Sequence, residues 1–277
     1  MDVKLKSKFP FSRTLFVIVS VAMVLTLVLF WFQKKTKARD YREIVKEGVL
    51  QVVTDYNTTG YFVSGDSISG FQYELLQAMA AEWGIEVSID LENSLDDNME
   101  GLDRHRYDMV ARNVPLTTTL KHQYAFTHPL ILNKQVLIQR KPEYNDSLPL
   151  VRQHLDLAKK TIYVPKSSPA ILRLDNLSHE IGDTIYVKED DVYGQEQLVM
   201  MVAAGQIDFT VCDEKSADEL ARSFPEIDVE TDIGFTHLES WIVRKDAPVL
   251  LDSLNAWLSR FRKTEEFERI YQRYYES

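Results

Sequence analysis

Two stretches of the chain place polar side chains where a ligand could be gripped. The first runs from Met99 through Leu102 to Arg106-Tyr107-Asp108-Met109-Val110-Ala111-Arg112-Asn113. The second runs from Leu198 through Ala204-Gly205-Gln206-Ile207 to Asp208-Phe209-Thr210-Val211-Cys212-Asp213. Each reads as the end of an amphipathic helix, a tight turn, an aspartate, a short apolar strand, and a polar residue at the strand's C-terminal end. In open α/β sheets, ligands bind outside the carboxyl ends of the strands. A guanidinium such as Arg112 suits a carboxylate, Asn113 stands beside it, and the Asp213 carboxylate suits an ammonium. Each has a plainer alternative. Arg112 can pair with a carboxylate of the protein itself, and Asp213 can cap the helix that begins near Lys215.

A second set of candidates is aromatic or hydroxylated. Ser167 and Ser168 lie between a strand and a helix, where hydroxyls and backbone donors suit an anion, or where they cap the helix ahead of Pro169. Tyr56, Tyr61 and Phe71 flank a polar loop, and aromatic walls with a few placed polar groups are typical of small-molecule pockets. For Tyr61 and Phe71 a core position is the competing expectation. The six histidines show no metal-ligand spacing, and neither a phosphate-binding glycine loop nor a nucleophile elbow occurs. No cofactor is expected.

The elements that must position these residues alternate strand and helix. Residues 49–54 form an apolar, β-branched run. Phe71, Leu75, Leu76, Met79, Ala80 and Trp83 then fall at helical spacing, and Gly84 stops that helix. Strands at 87–91 and 109–111 enclose a short helix at 95–102, an order that implies a parallel sheet with right-handed crossovers. After a strand at 134–139, the polar segment 141–148 is expected to cross into a second lobe. There the pattern restarts: strands at 161–164, 184–188 and 209–212, helices at 169–177, 195–204 and 215–224. A segment at 229–233 returns, and long amphipathic helices end the chain. The expected division is lobe 1 over 47–139 and 236–277, with lobe 2 at 140–235 inserted in it. Two crossings between lobes make a hinge.

Composition bounds the class. The 277 residues are 45% hydrophobic and 27% charged, as in globular proteins. Residues 1–39 carry eight Lys/Arg and one acidic residue, against an overall formal charge of −10. A body this acidic argues against a nucleic-acid partner. Residues 15–32 carry no charge and reach the lower length for a spanning helix. They are expected to form an uncleaved anchor between a basic tail (1–14) and a linker (33–46). The lone Cys212 precludes an internal disulfide.

This order of motifs resembles the family 3 bacterial extracellular solute-binding proteins over residues 47–277. The resemblance rests on Gly48-Val49-Leu50-Gln51-Val52-Val53-Thr54, Gly70-Phe71-Gln72-Tyr73-Glu74-Leu75, the two aspartate-led strands and Phe126-Thr127-His128-Pro129-Leu130. At Tyr61-Phe62, Tyr73-Glu74-Leu75 and 195–204 the chain is also similar to the non-catalytic N-terminal domain of membrane-bound lytic murein transglycosylase F. The resemblance implies a two-lobed α/β fold of the type II periplasmic-binding-protein kind. It further implies a single-pass inner-membrane protein with a cytoplasmic N-terminus and a periplasmic body, and a small solute such as an amino acid, peptide or cell-wall fragment. A transporter or cell-wall enzyme is the implied partner. It assigns Asp213 to a ligand amino group and Ser167-Ser168 to ligand contact. It also places the family's carboxylate clamp at Pro115 and Leu120, whose side chains cannot donate, with Thr117 nearby. The catalytic domain of the transglycosylases would follow beyond Ser277, so no glycosidase activity is expected. A regulatory module with a degenerate cleft, or an enzyme like the cyclohexadienyl dehydratases, is the alternative.

Overall fold

A computed structural model describes residues 39–276. Two mixed sheets, each covered by helices, and a hairpin of β2 (Phe62–Ser64) and β3 (Ser67–Ser69) make up the body. In the first, β1 (Val49–Thr54) lies parallel to β4 (Glu86–Leu91) and to β5 (Met109–Pro115). Then β13 (His237–Arg244) runs antiparallel to β5, β6 (Tyr124–Phe126) and β7 (Ile131–Asn133). The second sheet has β10 (Tyr186–Asp190) and β9 (Thr161–Pro165) parallel, with β11 (Thr210–Asp213) parallel to β9. There β8 (Gln135–Arg140) is antiparallel to both β11 and β12 (Ile227–Asp232). The parallel pairing expected of the first three strands, β1, β4 and β5, is present. The strands that enter each sheet directly from the other run against their neighbours.

The point of crossing also differs from expectation. Segment 141–148 does not cross; it follows β8, which already belongs to the second sheet. The chain passes between sheets at Lys134 alone and returns through residues 233–236. Val136, Leu137 and Ile138 explain the difference. They are buried on both faces of the second sheet, feeding the separate cores on its two sides, as a central strand must. Lys134 ties the hinge, with its ammonium 3.0 Å from Glu214 and 2.9 Å from Asp232.

The helices α8 (Pro248–Phe261) and α9 (Glu265–Tyr271) fall back on the first sheet. Trp257 stacks between Trp241 of β13 and Phe261 there. Helix α2 (Phe71–Trp83) starts at Gly70, whose φ is +134°. A Cβ on Gly70 would stand 2.2 Å from the Gly60 carbonyl oxygen, so only glycine lets loop 55–60 lie this close to the helix start. That approach holds Asn57, Thr58 and Thr59 over the second sheet.

Residues 15–32, the expected anchor, lie outside the described residues. Among the described residues no helix is long and apolar enough to cross a membrane. The single-pass inner-membrane localisation expected from the sequence is corrected on that finding.

Candidate functional site

The C-terminal ends of β1, β5, β9 and β11 face a cavity of about 90 Å³ between the two sheets. Side chains from the two lobes touch across it. The backbone N–H and hydroxyl of Thr58 both donate to Glu196 Oε1, at 2.6 and 2.7 Å. Ser167 donates its hydroxyl to Asp96, and the hydroxyls of Thr59 and Ser216 lie 3.4 Å apart. The lobes are therefore closed on the cavity. Burial pushes the Glu196 carboxyl up, and the two Thr58 donors work against that shift.

Six of the nine residues expected at the cleft line it: Tyr56, Arg112, Asn113, Ser167, Ser168 and Asp213. The other three are corrected. Tyr61 is 8% exposed and packs edge-on against Tyr73. Phe71 is fully buried in the lobe 1 core, edge-on to Tyr275 at 4.8 Å. Thr117 caps α4 (Thr118–Gln123) by accepting from the Leu120 backbone N–H at 3.3 Å. In each case an apolar or capping partner close in the fold claims the side chain before the cleft does.

The lobe 1 strand end is occupied by its own protein. Arg112 pairs with Asp55 at 3.0 Å and donates to the Asn93 carbonyl at 3.0 Å and to Asn98 at 3.2 Å. Asn113 accepts from Gln72 Nε2 at 2.7 Å and donates to the Tyr275 hydroxyl at 3.1 Å. Gln72 in turn accepts from the Trp241 indole N–H at 2.6 Å. In lobe 2, Ser168 Oγ accepts from the Ala170 N–H at 3.3 Å, and Ser167 adopts φ +57° with its N–H donated to Glu189.

Asp213 is different. It precedes α7 (Glu214–Ser223) without capping it, and among the described residues no donor pairs with its carboxylate. Burial and the nearby Glu239 push this carboxyl up to about 8; Asp55 adds to the shift, and His237 and Arg112 oppose it. Glu239 is 1% exposed and accepts from Asn133 at 3.2 Å and from His237 at 3.1 Å. Burial alone would lower the His237 pKa, but the hydrogen bond and charge of Glu239 outweigh it and raise it. The cavity floor is thus acidic, and among the described residues the Asp213 carboxylate there has no donor. Such a floor accepts an ammonium group. Among the described residues no group of His, Cys, Asp or Glu is arranged to hold a metal ion.

Sequence reasoning missed Glu196, Glu239, Gln72 and Tyr275. Gln72 and Tyr275 sit inside helical patterns that read as core-facing, and Glu239 lies in β13, past the return segment. A polar residue interrupting an apolar helix face was the available signal.

Known proteins agree with this architecture. Residues 50–277 match the bacterial extracellular solute-binding proteins, family 3. Membrane-bound lytic murein transglycosylase F of Pseudomonas fluorescens is 28% identical over 246 residues, which is 86% of this chain and 48% of that protein. The chain spans about half the length of the curated relatives it matches. An ancestral arginine-binding protein bound to arginine superposes with a TM-score of 0.72 at 21% identity, covering 82% of this chain and 98% of that one. An ancestral amino acid-binding protein, a precursor of cyclohexadienyl dehydratase, gives 0.72 at 20% identity, over 84% and 98%. With its family match over most of its length and two sheets closing on a shared cleft, this chain belongs to the bacterial extracellular solute-binding proteins, family 3.

Proposed function

We propose that the chain binds a small polar solute bearing an ammonium group, and that its lobes close over it for transport or sensing. One observation carries this reading: the Asp213 carboxylate faces the interlobe cavity and has no hydrogen-bond donor among the described residues. A half-buried carboxylate without a counter-charge, beside the buried Glu239, costs free energy, and a cationic group of the ligand would offset that cost. The arginine-bound and amino-acid-binding neighbours are consistent with such a solute. Arg112, Asn113, Tyr56, Ser167 and Ser168 supply the surrounding wall. Thr58 and Glu196 hold the lobes shut.

A second role is motivated by the relatives. Their murein transglycosylase name motivates a module that reports cell-wall fragments to an enzyme or a transporter. The chemistry at Asp213 is the same in either setting. Calorimetric titration of the full chain with amino acids, short peptides and muropeptides tests the reading. Micromolar binding of an amine-bearing solute, lost in Asp213→Asn, is expected. A full panel without heat or thermal stabilisation would end it.

A further inference from the structure

The Trp241–Gln72–Asn113–Tyr275 chain of hydrogen bonds has a direction fixed at one end. An indole N–H can only donate. Because Trp241 donates to Gln72 Oε1, the Gln72 amide nitrogen must face Asn113, and it donates to Asn113 Oδ1. That turns Asn113 Nδ2 toward the Tyr275 hydroxyl oxygen. The two amide orientations, often ambiguous between oxygen and nitrogen, are set here by the indole. The Tyr275 oxygen therefore accepts within the wall, and its proton must point elsewhere. Among the described residues no acceptor takes that proton.

Local structure delivers the hydroxyl to the cavity. The last turn, Gln272–Glu276, is wound as a π-helix, a form frequent at functional sites. Its two tyrosines diverge. Tyr274 accepts from the Gly70 N–H at 2.9 Å and donates to Glu74, tying the turn to α2. Tyr275, only 4% exposed, lines the same cavity as Asp213. Burial, and the charges of Glu239 and Asp213, push its hydroxyl pKa up against the Asn113 hydrogen bond, so it stays protonated.

We propose that Tyr275 is a ligand-binding residue whose hydroxyl donates to an oxygen of the same solute whose ammonium Asp213 receives. The solute class is then an amine that also carries a carboxylate or carbonyl oxygen. Tyr275 supplies a donor that Pro115 and Leu120 cannot. Arg112, already held by Asp55, Asn93 and Asn98, is spoken for. This inference rests on the solute-binding reading above.

The experiment pairs each of the common L-amino acids with the amine that lacks its carboxylate. Both are titrated into the full chain as wild type, Tyr275→Phe and Asp213→Asn. For the tightest-binding amino acid, Tyr275→Phe should weaken affinity about tenfold, or ~1.4 kcal/mol. It should leave the matching amine within about twofold, because only the oxygen contact is lost. Equal losses on both ligands, or no loss on either, overturn the role of Tyr275. If Asp213→Asn still abolishes binding in that case, the solute-binding reading survives on its own. Should the variant lose its fold, the wild-type preference decides: equal affinity for the amino acid and its amine overturns the inference. No binding by any probe overturns the inference and the reading beneath it together.

Discussion

Asp108 and Asp208 occupy the same place in the two lobes and live in opposite surroundings. Asp108 is 2% exposed and accepts from Arg39 at 2.6 Å and from the Gln51 backbone N–H at 2.9 Å, with Arg244 at 3.9 Å. Asp208 has a side chain 71% exposed and touches Arg140 at 3.1 Å. The strand ends that follow them invert the contrast. In lobe 1, Arg112 and Asn113 are bound up by Asp55, Asn98, Gln72 and Tyr275. In lobe 2, Asp213 is bare. One lobe spends its polar groups on its own architecture, and the other leaves one facing the cavity. A repeated motif therefore fixes where a strand ends, while the packing around it decides whether that end is structural or functional.

The largest effect expected from this contrast is on stability. Asp108→Ala removes the acceptor shared by Gln51 and Arg39 and leaves two guanidinium groups at a largely buried site. Breaking a buried pair from one side costs several kcal/mol, so a loss of about 3 kcal/mol in urea unfolding is expected. A loss below about 1 kcal/mol would show that water replaces the carboxylate, and that the lobe 1 aspartate is no more structural than its counterpart.

Asp213→Asn breaks the comparison from the other side. Ligand affinity should fall about 100-fold, since charge-assisted contacts in a half-buried cleft carry about 2–3 kcal/mol. The unliganded protein should gain stability at pH 8, by about 1–2 kcal/mol, because a strained carboxylate is replaced by a neutral amide. Calorimetry and thermal unfolding read the two changes separately. A variant that lost both affinity and stability would mean that Asp213 is architectural after all.

The pH dependence follows from the same group. The Asp213 carboxyl stands at about 8 in the folded protein, above its ordinary value of 3.8. A carboxyl raised on folding adds stability that is full below about pH 4 and lost as pH rises through about 8. Unliganded stability should decline over that window. Affinity should move the opposite way, rising about tenfold per pH unit from pH 6 toward 8, because receiving an ammonium requires the ionised form. Proton release on binding, measured in buffers of different ionisation enthalpy, checks the sign. Uptake of a proton would contradict it.

How much of this was legible beforehand depended on what each residue's place requires. Asp213 was readable because a polar residue ending an apolar strand is visible in the chain itself. The alternative held open for Arg112, pairing with a carboxylate of the protein, is what the structure contains in Asp55. The crossing at Lys134 was not readable. Val136, Leu137 and Ile138 satisfy a buried strand in either sheet, and only the hydrogen bonds to β11 and β12 decide. Glu239 and Tyr275 were equally hidden. They reach the cavity because β13 and the helices after it fold back on the first sheet, a consequence of long-range packing rather than of local pattern.

The smallest effect completes the comparison. Asp208→Asn removes the charge from one exposed partner of Arg140, whose guanidinium also donates to the carbonyls of Val202 and Ile207, at 3.0 Å each, and to Asn145 at 2.9 Å. Surface pairs contribute little, and an arginine with three other acceptors keeps its position without the charge of the fourth. A change under about 0.5 kcal/mol is expected, with ligand affinity untouched. A loss approaching that of Asp108→Ala would mean that the turn before β11 needs its aspartate as the turn before β5 does. The two lobes would then share an architecture at this position, and only their strand ends would distinguish them.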